Sequence, residues 1–388
     1  MTQATYRLGG GATPRQRTPL WALGAGLVLA GLRGSKPARR DAHAEPRRDA
    51  RDDKRHPFDR ERETDERDFA RARESGRGRD AEHPGEIPAR GWKDILWRIY
   101  EGINEDRILA ISGGVVFFTL LAIFPGIAGL IALYGLFADP GTIGQHIDML
   151  AGVVPGGGMD IIREQVQRLT SQPSQKLGVA MVVSLAIALW SANGGVKAIF
   201  DALNVVYHEK EERSFIKLNA LSLTFTLGGI LFVIVAISMI TVLPAVLEFV
   251  GLSRTTEVLL KIGRWPVMLL VVSFAIALIY RYGPSRDEPQ WRWITPGSIF
   301  ATIAWLIASL LFSWYAENFG SYNATYGSLG AAIGFMTWMW ISTIVVLVGA
   351  KLNAETEHQT ARDTTDGHPR PLGTRDATMA DNVGKASD

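Results

Sequence analysis

Between Ile108 and Ala138 the chain runs for 31 residues without an acid, a base or a histidine. A helix rising about 1.5 Å per residue needs about 20 apolar residues to cross a hydrocarbon core of about 30 Å. Five more apolar stretches follow, and the last two lie either side of Glu317. Spans are expected at about 108–138, 177–206, 218–247, 265–281, 293–316 and 328–350. The fold class that follows is all-α, a polytopic membrane bundle of six transmembrane helices, because lipid requires backbone groups to be satisfied within each spanning element. The span at 265–281 is the shortest, with Arg264 and Arg281 at its ends to snorkel outward.

Whole-chain averages conceal this pattern. The chain is 47% hydrophobic and 21% charged, yet Gly34 to Arg90 holds 16 Lys/Arg and 15 Asp/Glu in 57 residues, while Gly91 to Lys351 holds 17 of each sign in 261. The first region interleaves opposite charges with proline and almost no large apolar side chain, which predicts a disordered tether over 34–90. An RNA-binding arm is the alternative there. A polar tail over 359–388 is expected to be loose as well. Ahead of the tether, Leu20 to Leu32 is a short apolar stretch preceded by Arg7, Arg15 and Arg17. It reads as an interfacial anchor or weak span within a leader over 1–33 more readily than as a signal peptide, since no small-residue cleavage pattern follows it.

Orientation is read from Lys and Arg in the short loops. With the segment before the first span inside, ten of these residues fall on the inner side, among them Lys93, Arg107, Lys217 and Lys351, against six outside. Both ends of the core, 91–358, are therefore expected in the cytoplasm of a bacterial inner membrane. Between the first and second spans, Ile143, Ile147, Leu150 and Val154, then Ile161, Ile162, Val166 and Leu169, recur at helical spacing around a Pro-Gly-Gly-Gly hinge. They predict two amphipathic helices lying flat, either capping the bundle or acting as an entry lid.

Near the end of the second span Asn193, Lys197, Asp201, Asn204 and His208 follow at intervals of four, four, three and four. On one helix these occupy a single polar stripe, with Lys197 and Asp201 placed to neutralise each other. The stripe is either the solvated end of a long helix or the wall of a cavity accepting a headgroup or ion. Pro125 interrupts the first span and is a candidate helix break. Glu317, between two apolar runs, is a loop residue or an outer-edge contact for a proton or cation. Gly330 and Gly334 form a Gly-x-x-x-Gly pair expected to serve helix packing within the monomer.

A search for catalytic constellations is negative. Zero cysteines exclude a disulfide framework, a Cys-ligated zinc site and a thiol nucleophile. None of the seven histidines has the spacing of a zinc helix, and no phosphate-binding loop or nucleophile elbow occurs. No catalytic residue, metal or cofactor is expected. A net charge of +2 gives no polybasic surface, so nucleic acid is not an expected partner.

Five motifs in order carry a resemblance: Phe-Pro at 124–125, Trp-Ser-Ala-Asn-Gly-Gly at 190–195 with Ala-Leu-Asn at 202–204, Tyr-Arg-Tyr-Gly-Pro at 280–284, Tyr-Asn-Ala-Thr-Tyr-Gly at 322–327 and Gly-Ala-Lys-Leu-Asn-Ala-Glu at 349–355. With them the region from Gly91 to Glu357 resembles the YihY/BrkB family of bacterial inner-membrane proteins. The resemblance implies six transmembrane helices with cytoplasmic ends and no established activity. Lys351 departs from it, since an acid is more usual at that position. Some relatives carry a ribonuclease BN label, but this core lacks the clustered His and carboxylate ligands that a metal-dependent nuclease needs. The expected role is transport or translocation of a lipid, an envelope precursor or an ion without ATP, with the lipid bilayer as partner. A scaffolding protein supporting envelope integrity is the alternative, and a lipid-modifying enzyme ranks third for want of acid–base machinery.

Overall fold

The computed structural model describes residues 66–134, 163, 167, 179–250, 254–318 and 328–387. Within them the chain is all helical apart from one isolated bridge between Pro289 and Thr365. The main helices are α1 (Ala89–Glu105), α2 (Ile108–Tyr134), α3 (Val179–Val206), α4 (Phe215–Val250), α5 (Arg254–Tyr282), α6 (Trp291–Asn318) and α7 (Ser328–Glu357). Four of them, α4 to α7, contain stretches long and apolar enough to cross a membrane, or five spans if α1 and α2 are taken together across their 60° bend.

The outward faces carry the apolar residues. Leu231 on α4, Leu270 on α5 and Leu310 on α6 are each more than 60% exposed. Large aliphatic side chains spread over whole helices in this way suit a lipid solvent, because an exposed surface so apolar has no other favourable neighbour. Inside, Ile108 and Val115 of α2 meet Ala202, Leu203 and Val206 of α3, Ile276 and Ala277 of α5, Ala301 of α6, and Leu347, Ala350 and Ala354 of α7. The alanines let backbones approach, as packing between helices in lipid requires.

The tightest approach is between α6 and α7 at Gly297 and Gly349. A Cβ on Gly349 would lie 2.8 Å from both the Gly297 carbonyl and the Ala301 Cβ. Of the Gly330/Gly334 pair, Gly334 has nothing within 4 Å of a Cβ among the described residues, and the packing at this end of α7 is made by Phe335 and Met339 against Val116 of α2.

Two helices extend beyond the expected spans. α5 begins at Arg254, and α7 continues to Glu357 because Lys351, Glu355 and Glu357 are buried against other parts of the protein. α2 remains one helix through Pro125, which is half-buried, so this proline does not divide the described element.

Two expectations of disorder are corrected. Residues 359–387 are packed, with Gln359, Thr360, Thr364, Arg375, Met379 and Val383 all buried. Residues 66–90 of the expected tether are packed too: 66–72 is helical, and Arg79, Ala81 and Ile87 are buried. Composition misleads here because the polar side chains find partners in one another and in each other's backbone, not in a core of their own. The rest of the tether, the apolar stretch 20–32 and the Tyr-Asn-Ala-Thr-Tyr-Gly motif lie outside the described residues. So do the flat helices expected at 143–169, except Arg163 and Gln167, which are helical.

Candidate functional site

The polar chemistry gathers in two places, a buried ionic cap at one end of the bundle and a small uncharged cluster within it. The cap is organised by the last two turns of α7. Residues four apart share a helix face, so Lys351 and Glu355 turn toward α1, while Asn353 and Glu357 turn toward the start of α6 and the loop before it.

On the first face the Lys351 ammonium lies 2.8 Å from Asp106 Oδ2 and 3.2 Å from Glu355 Oε1. The Asp106 contact is an ion pair whose angle falls short of a hydrogen bond. Arg98 of α1 donates from Nε to Glu355 Oε2 at 2.6 Å and from Nη2 to Gln359 Oε1 at 2.8 Å. His208 places Nε2 2.9 Å from the other oxygen of Asp106. Gly102 lies directly against the Lys351 side chain and leaves no room for a Cβ. All four central groups are buried, and two cations face two carboxylates, so no uncompensated charge is left in a poorly solvated site.

On the second face the side chains of Arg286 and Glu357 are wholly buried and paired at 2.6 Å, with Thr364 donating to the same carboxylate at 3.0 Å. Burial alone would depress the Arg286 guanidinium, but the Glu357 charge and its hydrogen bond outweigh this and raise it. Tyr207, over whose ring Arg286 lies at 5.1 Å, is pushed up by burial. The loop before α6 is held by Arg281, which donates to Glu288 at 3.1 Å as well as to Asp366 of the tail at 2.7 Å, and by Asn204, whose Oδ1 accepts the Ser285 N–H at 2.7 Å.

The uncharged cluster lies where α3 meets α4. Asn193 is fully buried, and its Oδ1 lies 3.3 Å from Thr226 Oγ1, whose one hydroxyl proton also has the Ser222 carbonyl at 2.9 Å. Its Nδ2 has no hydrogen-bond partner. Along the same face of α4, Ser222 and Asn219 are buried, and Asn219 Oδ1 is also without a partner.

The expected polar stripe on α3 is therefore divided among different neighbours. Asn193 enters the uncharged cluster and Asn204 braces the loop before α6. Lys197 is half-buried over the Trp190 ring at 5.0 Å, and Asp201 is exposed. The expected Lys197–Asp201 pair does not form; lying over the indole face gives the cation an attraction of its own. Glu317 lies in the last turn of α6, and its side chain is not among those described. Among the described residues no group of three or more His, Asp or Glu is arranged to hold a metal ion. The residues missed in the sequence are Arg98, Asp106, Arg286, Glu355 and Glu357. The legible signal was the Lys351/Glu355 spacing in the last motif; their partners lie far away in the chain.

The model of the virulence factor BrkB family matches residues 99–372. This chain belongs to the virulence factor BrkB family. Among its relatives is the ribonuclease-like protein YfkH of Bacillus subtilis, 30% identical over 267 residues, covering 66% of this chain and 91% of the relative. A UPF0761 membrane protein of Haemophilus influenzae is 24% identical over 259 residues, covering 66% and 92%. One from Vibrio vulnificus is 26% identical over 265 residues, covering 66% and 81%. No solved structure matches. The chain is thus a membrane protein of the BrkB family, and the matched region takes in most of the ionic cap, including Asp106, Arg286, Lys351, Glu355, Glu357 and Asp366. The motif Gly-Ala-Lys-Leu-Asn-Ala-Glu here contributes Gly349 to the close helix approach, Asn353 to the start of α6, and Lys351 and Glu355 to the buried ions.

Proposed function

We propose that this BrkB-family protein moves a lipid, a lipid-linked envelope precursor or an ion across a bacterial inner membrane without ATP. In this reading α2 and α3 join the four clear spans to make six, and the ionic cap lies on the cytoplasmic side. The carrying observation is Asn193: an amide fully buried between apolar helices, opposite Thr226, with Nδ2 unpaired. Polar side chains inside a membrane bundle are costly unless they are used, and an unpaired one has capacity for a passing polar group. The reading involves no hydrolytic step and no nucleic acid. The ribonuclease-like name of the Bacillus relative describes that protein alone.

The second reading is a scaffold for envelope integrity, favoured by how much of the described polar chemistry is spent holding the cap together. Leaflet exchange and flux of a panel of lipids and ions in proteoliposomes separate the two. Transport predicts activity that is lost in Asn193→Leu and Thr226→Val while the thermal midpoint stays close to wild type. No exchange for any panel member by folded wild type would sink it. The scaffold reading predicts instead that deleting residues 34–65, which stops short of the packed 66–90, impairs envelope integrity in cells.

A further inference from the structure

α1 is amphipathic, but its outer face is not the usual polar one. Inward it buries Asp94, Ile95, Arg98, Ile99 and Gly102. Outward it presents Leu96 at 60%, Trp97 at 51% and Tyr100 at 64% exposure, with Lys93 among them. The Trp97 and Tyr100 rings lie side by side, centroids 6.0 Å apart. Together with Ala89 and Trp92 these side chains line a shallow apolar trough.

From this we infer that α1 lies in the plane of the membrane interface on the capped side of the bundle, with its Leu96–Trp97–Tyr100 face embedded among the phospholipid headgroups. Three observations select a bilayer as the occupant. The helix that follows, α2, presents an apolar outer surface too, where Leu109, Phe117, Phe118 and Leu121 are about half exposed. The 60° bend, made through Arg107 in a left-handed conformation (φ 53°), turns α1 away from the direction of α2. The composition is that of an interface: tryptophan and tyrosine with polar atoms at their rims, a leucine, and a lysine able to lift its charge to the phosphates.

The inner face rules out the alternative that α1 forms the first half of a bent span. Asp94 is held by Arg77 at 2.7 Å and by the Ser387 hydroxyl at 2.6 Å, and Arg98 by Glu355 and the Lys385 carbonyl. These partners belong to the cap and the tail, so drawing α1 into hydrocarbon would carry the whole ionic network with it.

The chain has no cysteine, so single labels can be placed without removing any. Leu96→Cys and Tyr100→Cys, labelled with a nitrobenzoxadiazole dye, are compared with Glu82→Cys on the cap surface and Leu270→Cys on the outside of α5. Each is matched to wild type by thermal midpoint and reconstituted in vesicles of phosphatidylethanolamine and phosphatidylglycerol. An interfacial helix is buried about 5–10 Å into the headgroup boundary, so quenching at 96 and 100 by a nitroxide near the head of the acyl chain should exceed that by one near its terminal methyl by about twofold. Leu270→Cys should show the reverse preference, and Glu82→Cys only aqueous iodide quenching. Iodide quenching at 96 and 100 equal to that at 82, protection from both lipid and iodide quenchers as under a protein partner, or deep quenching equal to that at 270 would each overturn the proposal.

Discussion

The Asn353 amide sits across the start of α6: its Oδ1 accepts the Gly297 N–H at 2.7 Å and its Nδ2 donates to the Ile294 carbonyl at 3.0 Å. Pro296, between them, has no N–H to give to the Arg292 carbonyl, and the asparagine bridges from α7 to the backbone on either side of it. Because Gly297 leaves space for this amide and for the Gly349 backbone, the contact joins two helices at close range.

Asn353→Leu keeps the volume and removes both bonds from α7 to the α6 backbone. The expected loss is about 0.5–1.5 kcal/mol per bond, read as a lower thermal midpoint in detergent. A midpoint equal to wild type would show that the backbone closes without the amide.

Lys351→Met removes the ammonium between Asp106 and Glu355, leaving Asp106 with His208 and Glu355 with Arg98 and His358. The expected cost is about 3–5 kcal/mol, the range for breaking a buried pair from one side. Adding Asp106→Leu should recover part of it, since an apolar pair of similar volume removes the carboxylate that lost its ammonium. Lys351→Glu, the kind of residue more usual in the resembling family, should be worse than Lys351→Met because it sets a third acid beside two. A double-mutant cycle on thermal midpoints measures all three.

Burial lowers the His358 pKa from its ordinary value of 6.5, against a smaller opposing pull from Glu355. The unfolded chain takes up a proton as pH falls through about 6.5, and folded His358 does so only at lower pH. The stability it contributes is therefore full above that value and is lost as pH falls toward the folded pKa. His358→Gln should flatten the fall in midpoint between about pH 7 and pH 5. Glu209 acts in the other direction, since burial raises its pKa above 4.5, but it is common to both proteins and cancels in the difference. Parallel curves for wild type and variant would refute the assignment to His358.

Removing residues 373–388 deletes the carbonyls that Arg79 and Arg98 reach at Gly384 and Lys385, each at 2.8 Å, and uncovers Asp94. Two charge-assisted bonds correspond to about 3 kcal/mol or more. Limited proteolysis should then cut within 66–98, where the intact chain resists. Unchanged cleavage kinetics would contradict a packed tail.

The membrane character was legible because a run such as Leu218 to Leu247 has one physical reading in water and another in lipid, and only the second is stable. The helix ends were less legible. A charge scan ends α7 near Ala350, since nothing local reveals that Lys351 will be neutralised by Asp106 or Glu357 by Arg286. The same blindness produced the expected disorder at 66–90 and 359–387, where Arg79 and Arg375 are buried with their hydrogen bonds made to distant backbone. The stripe from Asn193 to Asn204 was correctly placed on one helix, but a period of 3.6 residues says nothing about which neighbour each member meets. The strongest hint of the cap was the pair Lys351 and Glu355, four residues apart, in a motif already singled out.

Arg79 reaches Gly384 across 305 positions, and Arg98 reaches Lys385 across 287. During synthesis, then, the early half of the cap is made long before its acceptors exist. α1 and the segment before it leave the ribosome long before Gly384, Lys385 and Ser387, which Arg79, Arg98 and Asp94 later reach, and α2 to α7 are all made before those residues arrive. Fastening of this part of the cap therefore waits on residues 384–387. A nascent protein stalled after α7 would hold Arg98 by Glu355 alone and offer the cell's proteases a cap that is only half fastened.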